Sequence, residues 1–75
     1  STAYDVVKMA VDLTIGKFTK NDMIEKCPSI GKSSVEQSLK KLSMDGYIVK
    51  MGSNKNTFYV KSDAVEHNED DFLTK

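Results

Sequence analysis

The 75-residue chain contains no arginine, no tryptophan, one cysteine, one proline and no long apolar run. The lone Cys27 excludes an intrachain disulfide and a metal site that needs four cysteine or histidine ligands, and it fits a reducing compartment. The longest apolar runs are far shorter than the roughly 20 residues that span a bilayer. The first residues also lack the apolar segment of a secretion signal. We therefore expect a single-domain, intracellular and cytoplasmic protein that does not enter membranes.

The net charge of zero hides an uneven distribution of charges along the chain. Residues 17–61 carry a net charge of +5, whereas residues 1–16 carry −1 and residues 62–75 carry −4. Every cation is a lysine, which meets phosphate as a point charge, and the guanidinium fork that most often reads guanine is missing. The sequence thus predicts a basic module followed by an acidic tail.

Apolar residues at helical spacing predict two helices in the first third of the chain. The first should span residues 3–15, with Gly16 well placed to end it. A second, short helix should begin at a capping box formed by Thr19 and Asp22, with Asp in place of the usual Glu. Pro28 prevents this helix from continuing, because its ring clashes with the preceding turn and it has no N–H. A tight link then leads to a third helix.

The third predicted helix has marked ends and one apolar stripe. Ser33 and Glu36 have the spacing of a capping box, so we expect the helix to begin at Ser33. Gly46 follows the last periodic residue and suits a left-handed helix end. The apolar stripe consists of Val35, Leu39 and Leu42.

After the third helix, the period of the pattern changes from 3.6 to 2. Residues 47–51 and 57–61 alternate and are rich in β-formers, and the polar residues 52–56 lie between them, which predicts a β-hairpin. A lone hairpin is marginal, so one face should pack on the helices. We expect one domain over residues 1–62, while residues 63–75 form an acidic tail that is either disordered or a weak additional helix.

This order of elements resembles the winged helix-turn-helix domains of small transcription regulators. The resemblance covers residues 3–61, and it implies an α+β fold with a three-helix helix-turn-helix core and a C-terminal β-hairpin wing. The residues that carry it are Phe18-Thr19, Ser33-Ser34-Val35, Leu39, Leu42, Gly46-Tyr47-Ile48, Gly52 to Asn56, and Phe58-Tyr59-Val60.

In this family the third helix enters the DNA major groove and the wing lies on phosphates. By position, the resemblance implies double-stranded DNA as the partner and a DNA-binding set on the third helix and the wing. Glutamine can pair bidentately with adenine, serine can serve either base-pair partner, and lysine contacts phosphate. The alternative is an ordinary solvated helix face and turn residues tolerant of positive φ. The predicted DNA-binding set is Lys32, Ser33, Ser34, Gln37, Ser38, Lys41, Ser53, Asn54, Lys55 and Asn56.

A different class of function stays open at this point. The zero net charge, the absence of arginine and the acidic tail favour a winged-helix module that inhibits or recruits a protein partner and does not bind DNA. A homodimer is also open, since many regulators of this shape bind palindromes as dimers. Its interface would come from the first helix or from the tail, with Phe72-Leu73.

Catalysis has little support in the sequence. There is no phosphate-cradling glycine loop, no nucleophile elbow and no metalloprotease motif, so we expect neither an enzyme nor a cofactor. Cys27 ends an apolar stripe and is best interpreted as a buried structural thiol. His67 has no second histidine or cysteine at ligand spacing, so we expect no metal site.

Overall fold

The computed structural model describes residues 2–63, which form three α-helices followed by a two-stranded antiparallel hairpin. This confirms the predicted α+β class, a three-helix core with a C-terminal hairpin. Of the predicted acidic tail, only Asp63 lies within the described residues. The helices are α1 (Ala3–Leu13), α2 (Lys20–Lys26) and α3 (Lys32–Met44), and the strands are β1 (Ile48–Met51) and β2 (Phe58–Lys61).

Helix α1 is two residues shorter than predicted. It begins after Thr2, whose hydroxyl accepts a hydrogen bond from the Asp5 N–H at 3.2 Å. It ends at Thr14, which has extended backbone angles and donates its hydroxyl to the carbonyl of Ala10 at 2.8 Å. A polar side chain that bonds the preceding turn thus ends the helix before Gly16 is reached.

Helix α2 begins at the predicted capping box. The Thr19 hydroxyl accepts from the Asp22 N–H at 3.1 Å, and an Asp22 carboxylate oxygen accepts from the Thr19 N–H at 2.9 Å. The two bonds satisfy donors that would otherwise be orphaned at the helix start. Met23 and Cys27 are buried on the inner face, and the chain turns at Pro28 toward α3.

The start of α3 differs from the prediction, and the capping box assigned to Ser33 and Glu36 is wrong. Gly31 is the N-cap, in extended conformation and without a side-chain cap, and its carbonyl accepts the first helical bond from Val35 at 3.0 Å. Ser33 is therefore already inside the helix, in its first turn. It cannot occupy the half-extended geometry that a cap requires.

The C-terminal end of α3 confirms the role expected for Gly46. Its φ is +81°, a left-handed conformation that glycine adopts without steric cost. The Gly46 N–H bonds the Ser43 carbonyl at 3.1 Å, and the Tyr47 N–H bonds the Leu42 carbonyl at 2.9 Å. This pair of bonds is the Schellman motif, and it turns the chain directly into β1.

The hairpin pairs Ile48 with Lys61 at one end and Met51 with Phe58 at the other, with a short 3₁₀ helix, Asn54–Asn56, at its tip. Its open end is tied to α1, because the Lys61 ammonium donates to the Thr14 carbonyl at 2.9 Å. Thus the hairpin is anchored to the helices and does not depend on its own two strands alone.

One contact was not predicted and fixes the position of the hairpin. Phe18, in the α1–α2 link, forms an antiparallel bridge with Tyr59, with backbone N–H to carbonyl bonds of 3.0 and 2.7 Å. Their rings stack with centroids 5.7 Å apart. Phe18 is thereby buried, and it holds β2 against the link.

The core lies between the three helices and the inner face of the hairpin. Val35, Leu39 and Leu42 are buried as predicted. The buried apolar residues are Val7, Val11, Phe18, Met23, Cys27, Val35, Leu39, Leu42 and Ile48.

No helix within residues 2–63 is long and apolar enough to cross a membrane.

Candidate functional site

The side of α3 that faces away from the core is an exposed, mostly polar surface, here called the α3 face. Its central residues, which are named at the end of this paragraph, are spaced four, three and four positions apart along the helix. Ser34 and Lys41 lie along the edge of the face next to α1. Of the residues predicted on this helix, Lys32, Ser33, Ser34, Gln37 and Lys41 are all exposed. The central residues are Ser33, Gln37, Lys40 and Met44.

Ser38 does not belong to the α3 face. It is only 6% exposed, so little of its side chain is accessible for the DNA contact that was predicted. The reason is positional, because Ser38 lies three residues after Val35 and four before Leu42, on the side of the helix that packs inward. The same geometry brings Lys40, which was left out of the predicted set, to the exposed side.

Tyr4 of α1 frames the α3 face at one edge. Its hydroxyl donates to a carboxylate oxygen of Asp45 at 2.8 Å, and the Lys41 ammonium lies 5.2 Å from its ring centroid, a cation–π contact. The hydrogen bond to Asp45, more than burial, raises the pKa of the Tyr4 phenol. Tyr4 thus links the start of α1 to the end of α3 and positions Lys41 beside the face.

The opposite edge of the α3 face carries an ion pair. The Lys20 ammonium of α2 lies 3.1 Å from a carboxylate oxygen of Glu36. Glu36, which was predicted to cap the helix, instead pairs across two helices. This partner neutralises the acidic side chain at the edge of the face.

A polar groove of about 400 Å³, here called the hairpin groove, separates the start of α2 from the hairpin. Two of the predicted wing residues, Asn54 and Lys55, line it together with two lysines that were not in the predicted set. Three ammonium groups in one groove create a local excess of positive charge. The lining residues are Thr19, Lys20, Asn21, Lys50, Asn54, Lys55, Thr57 and Tyr59.

The remaining predicted wing residues lie at the hairpin tip. Asn56 lines a neighbouring groove with Lys17 and Phe58, and the Lys17 ammonium lies 5.1 Å from the Phe58 ring centroid. Ser53 is exposed, and its carbonyl accepts the Asn56 N–H at 2.9 Å. Both residues are accessible, although Ser53 serves the turn and does not line the hairpin groove.

Lys20 connects the two surfaces. It lines the hairpin groove and also pairs with Glu36 on α3. The α3 face and the hairpin groove are therefore neighbours, with α2 between them. No local pattern in the sequence indicates this, because the pairing joins residues 16 positions apart.

Other chemistry is sparse in the part of the chain that the structure describes. Residues 2–63 hold no cluster of three or more potential metal-binding side chains. The Cys27 thiol is buried, as predicted, and burial raises its pKa, which favours the unreactive protonated form. The prediction for His67 lies outside the described residues.

The comparisons with known proteins assign no relative to this chain. No family model matches it, and neither a curated protein nor a solved structure matches at a significant level.

Proposed function

We propose that this chain is a non-enzymatic, intracellular winged helix-turn-helix protein that binds double-stranded DNA and regulates transcription. In this proposal the α3 face lies in the major groove and the lysines of the hairpin groove contact phosphates. The observation that carries the proposal is the convergence of Lys20, Lys50 and Lys55 on one groove next to an exposed polar helix face.

The hairpin groove suits phosphate chemically. Ammonium groups attract phosphate oxygens and release condensed counterions from DNA, so they supply affinity without reading sequence. The threonine and asparagine side chains beside them add hydrogen-bond donors for the same oxygens. The groove would fix the register of the protein on the duplex.

The α3 face offers limited means of reading bases. Gln37 is exposed at its centre and can form two hydrogen bonds to adenine, while Ser33 and Ser34 can donate or accept. Lys40 and Lys41 can reach phosphates or guanine from the same face. Because arginine is absent, we expect modest sequence preference relative to the phosphate contribution.

The pairing of Glu36 removes one objection to DNA binding. An unpaired carboxylate on α3 would repel phosphate, whereas Glu36 lies beside the Lys20 ammonium. The ion pair leaves the edge of the α3 face close to neutral. Lys20 keeps its contact with the hairpin groove in the same conformation.

Selection of bound sequences from a pool of random duplexes tests this proposal most broadly, followed by titration of a selected duplex at several salt concentrations. Five lysines on the two surfaces, one of them paired with Glu36, predict a slope of log K against log[salt] of about −3 to −4.5, at about 0.9 per phosphate. Enrichment of adenine-containing positions would agree with readout by Gln37. No binding at low salt would contradict the proposal.

A second candidate function is a protein-interaction module that does not bind DNA, which one observation favours. Met44 lies in the α3 face and is 77% exposed, and an exposed apolar side chain there suits a protein partner better than phosphate. Met44→Lys separates the two functions. It should strengthen DNA binding if DNA lies on this face, and it should have no such effect if the face binds protein only.

A further inference from the structure

A small cleft between helices α1 and α3 opens onto the α3 face. It has a volume of about 210 Å³ and is here called the α1–α3 cleft. Small-molecule sites in proteins usually measure about 300 Å³ or more, so this cleft suits a part of a larger molecule better than a free ligand. The lining residues are Ala3, Tyr4, Ser34, Gln37, Ser38 and Lys41.

The wall that α1 contributes to the cleft is apolar and fixed in position. Ala3 supplies a methyl group and Tyr4 supplies its ring. The Tyr4 hydroxyl donates to an Asp45 carboxylate oxygen at 2.8 Å, and the Lys41 ammonium lies 5.2 Å from the ring centroid. These two contacts hold the ring in place before a partner binds, which lowers the entropy cost of binding.

The wall that α3 contributes comes from residues that were predicted to contact DNA. Ser34, Gln37 and Lys41 are exposed, while Ser38 is nearly buried. None of the described residues that line the cleft is acidic, so the lining itself does not repel phosphate groups nearby. The cleft therefore joins an apolar surface to the polar groups that we propose to read base edges.

We infer that the α1–α3 cleft takes up the 5-methyl group of a thymine in the major groove. This inference rests on the proposed function, and it adds Tyr4, a residue outside α3, as a determinant of sequence specificity. The thymine methyl is the one methyl group that the four bases display in the major groove, and proteins recognise it by apolar contact. Ala3 and the Tyr4 ring supply that contact next to Gln37, whose amide can pair with adenine. The cleft and Gln37 thus favour A·T base pairs together.

Replacement of thymine by deoxyuridine, one position at a time in a duplex selected from a random pool, tests this inference on the unmodified chain. Uracil lacks only the 5-methyl group, so the hydrogen-bonding groups of the base pair stay the same. At one thymine at least, the affinity should fall about fourfold, as expected for one buried methyl group. A selected duplex that binds equally well with uracil at every position overturns the inference and leaves the proposed function standing. A chain that binds no duplex contradicts both.

Variants of Tyr4 assign the methyl contact to the cleft. Tyr4→Ala removes the ring and should bind the thymine and uracil duplexes with equal affinity, whereas Tyr4→Phe keeps the ring and should keep the difference. A purely structural role of Tyr4 would instead weaken binding of both duplexes alike and leave their difference unchanged. Survival of the full difference in Tyr4→Ala therefore overturns the inference.

The chain offers a matched control in Tyr47. Its hydroxyl donates to Asp12 and the Lys8 ammonium lies 4.8 Å from its ring centroid, as at Tyr4, but Tyr47 does not line the cleft. Tyr47→Ala should keep the difference between thymine and uracil. If it abolishes the difference as Tyr4→Ala does, the effect does not arise in the cleft and the inference is wrong.

A second control concerns Met44, an exposed apolar side chain of the α3 face that does not line the cleft. Met44→Ala should also keep the difference between thymine and uracil. If Met44→Ala abolishes the difference and Tyr4→Ala does not, the thymine methyl lies against Met44 and the inference is overturned.

Discussion

Lys20 and Glu36 form an ion pair between α2 and α3, with 3.1 Å between the ammonium nitrogen and a carboxylate oxygen. Both side chains are more than 40% exposed, so the pair contributes little to stability. Its importance lies in its position between the α3 face and the hairpin groove. It brings a lysine of the groove to the edge of the helix face and neutralises the one acidic side chain of α3.

Glu36→Gln should therefore strengthen DNA binding while changing the free energy of unfolding by less than about 1 kcal/mol. The substitution removes a negative charge beside the surfaces that we propose contact DNA phosphates. It also frees the Lys20 ammonium from its ion pair. DNA titration and urea unfolding measure the two quantities. Glu25→Gln, on the exposed side of α2, is the control and should have a smaller effect on affinity. Equal effects would mean that only net charge matters.

Thr19→Ala should lower the free energy of unfolding by about 1 kcal/mol, because it removes the hydroxyl that caps α2. Ser33→Ala is the matched variant at the other predicted capping box, and it should cost less than about 0.5 kcal/mol since Ser33 caps nothing. Urea unfolding of both variants checks this. If Ser33→Ala lowered the free energy of unfolding by more than about 0.5 kcal/mol, Ser33 would have a capping role at α3 after all.

Gly52→Ala should destabilise the hairpin more than Gly46→Ala. The two glycines have the same φ of +81°, so the cost of the left-handed conformation, about 1 kcal/mol, is shared. A Cβ at Gly52 would lie 2.1 Å from the Asn56 carbonyl oxygen, whereas one at Gly46 meets nothing within 4 Å. The difference in unfolding free energy measures this clash. Equal losses would show that the hairpin tip rearranges freely.

Alkaline pH should destabilise the fold through two tyrosines. Hydrogen bonds donated to Asp45 and to Asp12 raise the pKa of Tyr4 and of Tyr47, respectively. The folded state thus holds these protons more tightly than the unfolded state. The resulting stabilisation is complete below the unfolded pKa of about 10 and is lost as the pH rises through the higher folded pKa.

The double variant Tyr4→Phe, Tyr47→Phe should lack this contribution. Its free energy of unfolding should be lower than that of the wild type at neutral pH and should fall less steeply above pH about 10. Urea unfolding at a series of pH values gives both curves. Parallel curves would mean that neither phenol titrates with folding.

Local patterns predicted the elements well where local chemistry sets them. The capping box at Thr19, the left-handed turn at Gly46 and the apolar stripe of α3 are each determined by residues within one or two turns of each other. The capping-box spacing gave a wrong prediction at Ser33, because the helix starts at Lys32 and Glu36 pairs with Lys20 on another helix. A spacing of three residues allows a capping box but does not require one.

The site was less predictable than the fold for two physical reasons. Ser38 was included by position from the family resemblance, although its place between Val35 and Leu42 puts it on the buried side. The hairpin groove depends on contacts between distant residues, such as the bridge from Phe18 to Tyr59, and no period in the sequence encodes them. Lys20 and Lys50 could be expected near the wing from the sequence, but the contacts that form a groove between them could not.

The measurement that tests the central claim most directly is DNA titration of a charge-reversal pair against a matched control. Lys41→Glu with Lys55→Glu changes one lysine on each proposed surface, and Lys8→Glu with Lys26→Glu makes the same change in net charge elsewhere. Circular dichroism first confirms that both variants are folded. We predict that the first variant binds DNA at least about tenfold more weakly and that the magnitude of its slope of log K against log[salt] falls by about 2. The affinity and the slope of the control should change little. Unchanged binding in the first variant, or equal losses in both, would contradict DNA binding by these surfaces.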